Sequence, residues 1–232
     1  MTNAILRGKP DAGNPHVRFD EGEVASVKPR RGSLLYSFKN LLLCLTAAFA
    51  FAVRGEIGVS GDTTGATDTA AIQSALDAAK TGGGTVTLGS GTFYINTQLT
   101  VDGAVTLQGQ GWDKTTIKPA SGKSISCVKV VDGTISWCTI TGNSGSCGGG
   151  VCFSGGKGRI DHSNVSNNTG SGAGGGIGMT GLAGDVVIDT CLVYGNASTS
   201  GSGGGVAVVT GSGKSVTTPS SRCCANQGSL RG

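Results

Sequence analysis

The chain has 232 residues, of which 43 are glycine, 18 are basic and 14 are acidic. Residues 1–54 hold 8 of the basic and 4 of the acidic residues, so the remaining body is formally neutral with 10 of each. A neutral body with 5% aromatic residues lacks the basic patch and the stacking surface of nucleic-acid-binding proteins, and we expect no nucleic-acid partner.

A polar leader occupies residues 1–38. Its stretch AGNPHVRFDEG at residues 12–22 resembles the fortuitous translation of the 3′ end of a group II intron at the front of some bacterial gene models. On that interpretation the leader is a spurious translation, and the true start lies near Leu34. The alternative is an ordinary long polar leader.

Residues 39–52 are predicted to form a signal peptide. Lys39 precedes the apolar run NLLLCLTAAFAFA, which ends in small residues suited to cleavage. The run is too short to span a bilayer comfortably, so we expect export and no stable membrane span, with a retained anchor as the alternative. The protein is accordingly predicted to be secreted or displayed at the cell surface.

One amphipathic helix is predicted near residue 70. Its apolar residues recur at i, i+3, i+4 and i+7 from Ile72 to Ala79. Asp68 is the predicted N-cap, and the glycines at 82–84 are the predicted stop signal.

The rest of the body, after Gly84, shows short alternating apolar runs separated by turn residues, which predict strands. From residue 135 these runs form a repeat with periods of 25 and 28 residues, led by Ile135, Ile160 and Ile188. Such a period lacks the helical half of other solenoids and is too short for a propeller blade, so it predicts coils of a parallel β-helix over 58–213. A flexible Gly/Ser linker would not keep its apolar residues in register.

Asparagine recurs at one position of this repeat, at Asn143, Asn168 and Asn196. We predict a structural role for these three residues, because Asn tolerates left-handed backbone and its amide can bond to the next Asn along the stack.

The cysteines fall into two groups. Cys147 and Cys152 flank a triple glycine and can close a short disulfide loop if the protein is exported. Cys138 and Cys191 share one repeat position with Ser163, which indicates small residues that face the core.

The stretch from Gly58 to Phe93 carries a family resemblance. Its segments GVSGD (58–62), DTAAIQSALDAA (68–79) and GGGTVTLGSGTF (82–93) resemble the N-terminal part of pectate lyase-like right-handed parallel β-helix proteins. The resemblance implies an all-β, right-handed parallel β-helix solenoid whose N-terminal end is capped by one helix. The repeats from 134 resemble those of bacterial surface proteins. The activity stays open, because lyases, hydrolases, epimerases, tailspikes and adhesins share this fold.

The pattern is expected to stop after Gly213, where another block ending in Asn is due. We expect residues 214–232 to be irregular, as a truncated or frameshifted end. The last coil would then present an open strand edge that favours end-to-end self-association.

Charged residues cluster in two adjacent coils. Asp161 and Asp189 occupy the same repeat position, and Arg159, His162 and Asp185 lie close to them in sequence. Two carboxylates one strand spacing apart can hold Ca²⁺ or act as a glycosidase pair. Asp161, Asp185 and Asp189 are therefore candidate calcium ligands, and Asp161, Asp189 and His162 are candidate substrate-binding residues. The alternative is a set of solvated corner aspartates.

Arg159 and Lys157 are the candidate catalytic bases. The resemblance implies a pectate lyase mechanism in which Ca²⁺ binds against a uronate and an Arg or Lys takes the α-proton. These two residues are the only basic ones in the repeats. The acid pairs and the Gly-His-Gly motif of polygalacturonases are absent from the sequence, which disfavours a hydrolase. Ca²⁺ is the one candidate cofactor, and no cofactor is firmly indicated by the sequence.

Two functional classes fit these observations. The first is an exported or cell-surface scaffold, adhesin-like, in contact with a polysaccharide or cell-surface glycan. The second is a polysaccharide-degrading enzyme of pectate lyase type. The first is favoured because the repeats are rich in small residues and show no convergent acid and base cluster. A non-functional gene fragment is the third interpretation.

Overall fold

A computed structural model of the protein describes residues 55–199, 203–209 and 214–227. The predicted leader and signal peptide lie outside these residues. No helix within the described ranges is long and apolar enough to cross a membrane.

The described residues form one helix and 18 strands. The helix is α1, Ala66–Ala79. The strands are β1 Gly84–Thr87, β2 Gly91–Ile95, β3 Leu99–Val101, β4 Val105–Gln108, β5 Thr115–Pro119, β6 Val128–Ser136, β7 Thr139–Thr141, β8 Ser144–Cys147, β9 Val151–Asp161, β10 Asn164–Ser166, β11 Thr169–Ala173, β12 Ile177–Thr180, β13 Val186–Asp189, β14 Leu192–Tyr194, β15 Ala197–Ser198, β16 Val206–Val209, β17 Val216–Thr217 and β18 Arg222–Cys224.

The strands pair in parallel and stack in about five coils. Stack A contains β1, β4, β6, β9, β13 and β17, and stack B contains β2, β5, β7, β10, β14 and β18. Stack C contains β3, β6, β9, β12 and β16, and stack D contains β8, β11 and β15. The long strands β6 and β9 serve two stacks, and their register shifts between Val130 and Asp132. The predicted all-β parallel β-helix with one N-terminal helix is therefore confirmed.

The core is a set of columns in which one apolar residue per coil lies on the next. In stack A, Leu107, Ile135, Ile160 and Ile188 are register partners and are fully buried. Burying each of these side chains stabilises the fold by roughly 1.5–3 kcal/mol relative to leaving it exposed. The columns explain why the repeat keeps Ile in register.

Helix α1 packs Ile72 and Leu76 against the first coils. Its N-cap is Gly65, which has φ 76°, and the prediction of Asp68 as the cap is wrong. Asp68 lies in the first turn, buried, and its carboxylate accepts the N–H groups of Ser60 and Tyr94 at 3.0 Å each. The helix begins earlier than the sequence pattern indicated, because Gly65 can adopt the left-handed backbone conformation at its N-cap.

A ladder of four asparagines joins the coils at one corner. The Oδ1 atom of each later member accepts both the backbone N–H and the side-chain Nδ2–H of the preceding member, at 2.9–3.0 Å. The members are Asn143, Asn168, Asn196 and Asn226. Left-handed backbone falls on the residue before each one, not on the asparagine itself. Asn143 Oδ1, at the start of the ladder, is buried without a hydrogen-bond partner among the described residues.

Strand pairing continues beyond residue 213, where an irregular segment was expected. β17 pairs with β13, and β18 pairs with β14. Cys223 is the register partner of Val193, and Asn226 extends the ladder. The sequence pattern did not reveal this coil, because Asn226 follows Asn196 by 30 residues, whereas the earlier intervals are 25 and 28 residues.

The predicted disulfide between Cys147 and Cys152 is present and encloses the triple glycine. Cys138 and Cys191 face the core, as predicted. Burial raises the pKa of Cys138 to about 12 and that of Cys191 to about 11, so both thiols stay protonated near neutral pH.

The ladder gives a test of what holds the coils together. Replacing Asn168 by Ala removes an amide that bonds to Asn143, Asn196 and the carbonyl of Ile140. We expect the free energy of unfolding to fall by about 3 kcal/mol or more, because several buried groups lose their partners at about 1–3 kcal/mol each. Chemical denaturation monitored by circular dichroism measures this change.

Asn164→Ala is the matched control, since Asn164 lies in the same coil and is only partly buried. It should shift stability by no more than about 0.5 kcal/mol. Equal effects of the two substitutions would contradict a structural role for the ladder.

Candidate functional site

The outer face of stack A carries the charged residues singled out in the sequence. Since Ile160 and Ile188 face the core, the neighbouring Arg159, Asp161 and Asp189 face outward. Asp161 and Asp189 are register partners on β9 and β13, which puts their backbones about 4.8 Å apart.

One guanidinium bridges these two carboxylates. Arg159 Nε donates to Asp161 Oδ2 at 2.6 Å, and Arg159 Nη2 donates to Asp189 Oδ2 at 2.6 Å. The hydrogen bond to Asp161 is the main reason that the pKa of Arg159 is raised. The hydrogen bond from Arg159 holds the pKa of Asp189 below its usual value. The three side chains therefore form a fixed ion triad on the surface.

An aromatic stack adjoins the triad. Trp137 and His162 follow stack A at the same turn position of consecutive coils, and both have left-handed backbone, with φ 57° and 45°. Their rings stack with centroids 4.3 Å apart and planes 14° from parallel. His162 Nδ1 lies 3.4 Å from Asp161 Oδ1, which links the stack to the triad. Trp137 remains 40% exposed.

The second of the chain's two tryptophans lies at the same corner. Trp112 belongs to the turn that connects stack A to stack B one coil earlier, and it is 53% exposed. Gly111 N–H donates to the carbonyl of Trp137 at 3.0 Å, and Thr139 Oγ1 donates to that of Trp112 at 2.5 Å. We call the two exposed tryptophans and the four partly buried polar residues beside them the corner patch: Trp112, Trp137, Arg159, Asp161, His162 and Asp189.

Lys157 and Asp185 lie near the other end of the same strands. They border a groove of about 280 Å³ that reaches back to Arg159 and also includes Asp132. Asp132 is the register partner of Lys157, and Asp185 Oδ1 accepts the backbone N–H of Ser215 at 2.9 Å. That hydrogen bond holds the pKa of Asp185 below its usual value. The ion pairs within the described ranges do not include Lys157.

The structure thus brings together four of the six predicted site residues, and it separates Lys157 and Asp185 from them. Asp185 precedes Asp189 by four residues along an extended chain, a distance of about 13 Å. Calcium ligands lie within about 2.3–2.6 Å of the ion, so Asp185 cannot share one ion with Asp189.

The residues present do not fit the predicted calcium site. Arg159 occupies the oxygens through which Asp161 and Asp189 would meet on one ion. No group of three or more His, Cys, Asp or Glu side chains suited to a metal occurs in the parts of the chain that the structure describes.

Arg159 is also poorly placed to act as a base. A base must first be neutral, whereas two carboxylate partners stabilise the protonated guanidinium and raise its pKa. Lys157 is the better candidate of the two on this ground, because it forms no ion pair with any residue that the structure describes.

The tryptophans were missed because their sequence signal is weak. Trp112 lies in a turn outside the repeat, and the equivalent of Trp137 is His162 in the next coil and Thr190 in the one after. Trp137 and His162 occupy the same repeat position, each just before a residue that faces the core. This alignment was the one feature of the sequence from which their ring contact could have been predicted.

Comparison with known proteins finds a similarity that is confined to the N-terminal coils. Residues 52–134 match a family model described as "Rhamnogalacturonase A/epimerase, pectate lyase-like". The match covers somewhat more than a third of the chain and ends before the ion triad. No curated protein and no solved structure matches the chain. The matched segment and the stacked coils indicate a pectate lyase-like β-helix, a fold that supports a carbohydrate-related role.

The ion triad predicts a pH-dependent contribution to stability. Because the pKa of Asp189 is lowered in the folded state, its contribution is complete above the unfolded value of about 3.9 and is lost as the pH falls through the folded value. We expect Arg159→Gln to destabilise the protein at pH 7 and to differ much less from the wild type at about pH 2.5. Urea midpoints at the two pH values measure the difference.

Lys157→Gln is the control, because it removes the same charge from the same strand without breaking an ion pair. Its difference from the wild type should change little with pH. A difference between Arg159→Gln and the wild type that stayed constant from pH 7 to pH 2.5 would contradict the triad.

Proposed function

We propose that the protein is an exported β-helix scaffold that binds carbohydrate at the corner patch. The observation that carries this proposal is the exposed Trp137–His162 stack beside a carboxylate pair that Arg159 holds in place. Exposed tryptophans provide large, rigid apolar faces suited to a sugar ring. Carboxylate oxygens accept hydrogen bonds from sugar hydroxyls.

The rigidity of the site supports a binding role. Trp137, Arg159, Asp161 and Asp189 lie on stacked strands or at the turn that follows them, where backbone hydrogen bonds to both neighbouring coils restrict movement. Sites on such elements are better defined than sites on long loops. A fixed patch loses little conformational entropy when it binds a ligand.

Export is supported by the disulfide between Cys147 and Cys152 together with the predicted signal peptide over 39–52. Disulfides persist in oxidising environments and are rare in reducing ones. We therefore propose a secreted or cell-surface location.

A lyase acting on uronate polymers is the second candidate. The groove of about 280 Å³ supports it, because its lining includes Lys157, a lysine that forms no ion pair with any of the described residues. The family match supports it as well, since the family's description refers to pectate lyase-like proteins. In this case Lys157 would take the proton and the groove would hold the sugar.

Binding can be measured with a panel of neutral, amino and acidic hexasaccharides. We expect at least one of them to bind, and Trp137→Ala to weaken that binding about tenfold or more, because truncating a central aromatic anchor removes most of its contact area. Isothermal titration calorimetry gives the dissociation constants.

Tyr194→Ala is the control, since Tyr194 is a partly buried aromatic residue on stack B, away from the patch. It should leave binding unchanged. Failure of every saccharide to bind would contradict the proposal. Unsaturated product from polygalacturonate that disappears in Lys157→Ala would favour the lyase instead.

The location has its own test. In protein isolated from its native source without reductant and alkylated in denaturant, Cys147 and Cys152 should stay unmodified until a reductant is added. Cys127 and Cys138, which have no disulfide partner among the described residues, should be alkylated at once. Peptide mass spectrometry detects both outcomes, and direct alkylation of Cys147 and Cys152 would count against export.

A further inference from the structure

We propose that the corner patch selects glycans with free amino groups over glycans with carboxylates. This inference rests on the proposed carbohydrate binding and specifies its ligand class. It reverses the preference that the resemblance to pectate lyases would suggest.

The first argument is the charge of the patch. Two carboxylates face one guanidinium in the ion triad, which leaves one net negative charge when His162 is counted as neutral. The turn that carries Trp112 does not offset this charge. Asp113 and Lys114 in that turn cancel each other, and Glu56 accepts a hydrogen bond from the neighbouring Gln110 at 3.0 Å. A cationic sugar is therefore attracted and an anionic one repelled.

The second argument is the set of free hydrogen-bonding atoms. Arg159 Nε and Nη2 are committed to the two aspartates. Asp161 Oδ1 has only the 3.4 Å contact with His162, so it remains able to accept a stronger bond. A bond from an ammonium group to this carboxylate oxygen would be charge-assisted, and roughly twice as strong as a bond between neutral groups.

The third argument is the aromatic faces. The negative face of an indole attracts cations, and tryptophan does so most strongly of the aromatic side chains. Trp112 and Trp137 are both exposed at this corner. The rings and the carboxylates thus favour the same kind of ligand.

A uronate would find no free cation in the patch. Arg159 is neutralised by its two partners, and Lys157 lies four residues away along β9, at about 13 Å from Asp161. Desolvating a sugar carboxylate beside Asp161 and Asp189 without a cationic partner is unfavourable.

The test compares hexamers of glucosamine, N-acetylglucosamine and galacturonate by calorimetry at pH 7.0, where ordinary histidines are mostly neutral and amines of the α-amino type are still mostly protonated. In about 0.05 M salt we expect the glucosamine hexamer to bind roughly three- to tenfold more tightly than the N-acetylated one, and the galacturonate hexamer to bind most weakly. The ratio should shrink in about 0.3 M salt, because exposed charges are screened.

Asp189→Asn removes one negative charge from the patch and changes its shape little, so it tests the contribution of charge. It should bring the ratio of glucosamine to N-acetylglucosamine affinity towards one, because it weakens the binding of the glucosamine hexamer more than that of the N-acetylated one. Asp185→Asn makes the same change near the other end of β13 and should leave the ratio unaltered. His162→Gln removes the one other group of the patch that can gain a proton, and the preference should persist in it.

The outcomes are distinguishable. Equal binding of all three hexamers, or preference for galacturonate, with loss of binding in Trp137→Ala, would overturn the amino preference and leave carbohydrate binding intact. Absence of binding to every hexamer would overturn both. An unfolding midpoint measured for each variant confirms that the fold is retained.

Discussion

The parallel pairing of each coil with the next is the constraint on which the rest of the structure depends. It fixes one register for the whole stack, so that a residue type repeated in sequence becomes a column in space. The inward columns of Ile and Leu and the asparagine ladder follow from it. The same register places Asp161 beside Asp189 and Trp137 beside His162. The candidate site is thus a product of stacking, built from residues that are 25 to 30 positions apart in the chain.

The corner patch combines two physical tendencies that oppose each other in water. Exposed indole rings favour contact with an apolar or weakly hydrated surface, whereas the charged side chains of the ion triad favour contact with water or with polar groups. Arg159 reduces this opposition by pairing with both aspartates and partly neutralising their charge, while Trp137 stays 40% exposed beside them. Ligands that present both a ring face and polar edges match this combination, and sugars do so.

Much of the fold could be predicted from the sequence because the signals are periodic. The repeat of Ile at positions 135, 160 and 188 predicts the core columns. The spacing of apolar residues from Ile72 onward predicts the buried face of the helix. The site could be predicted only in part. Asp161 and Asp189 share one repeat position and Arg159 lies two residues before Asp161, but the ion pairing of the three depends on rotamers that no pattern encodes. Trp112 lies in a turn without a repeat, and the last coil replaces apolar residues with Thr and Cys, so both escaped detection.

The asparagine ladder has a direction, because each amide oxygen receives its two donors from the coil before it. At its first step Ala120 occupies the preceding coil, and the oxygen of Asn143 is left without a donor. A coil duplicated anywhere after Asn143 would bring its own donors and acceptor, and it would add no further orphan. The stack can therefore lengthen by whole coils in evolution without adding a buried polar atom that lacks a partner. The one such atom in the ladder stays at its first step, the amide oxygen of Asn143.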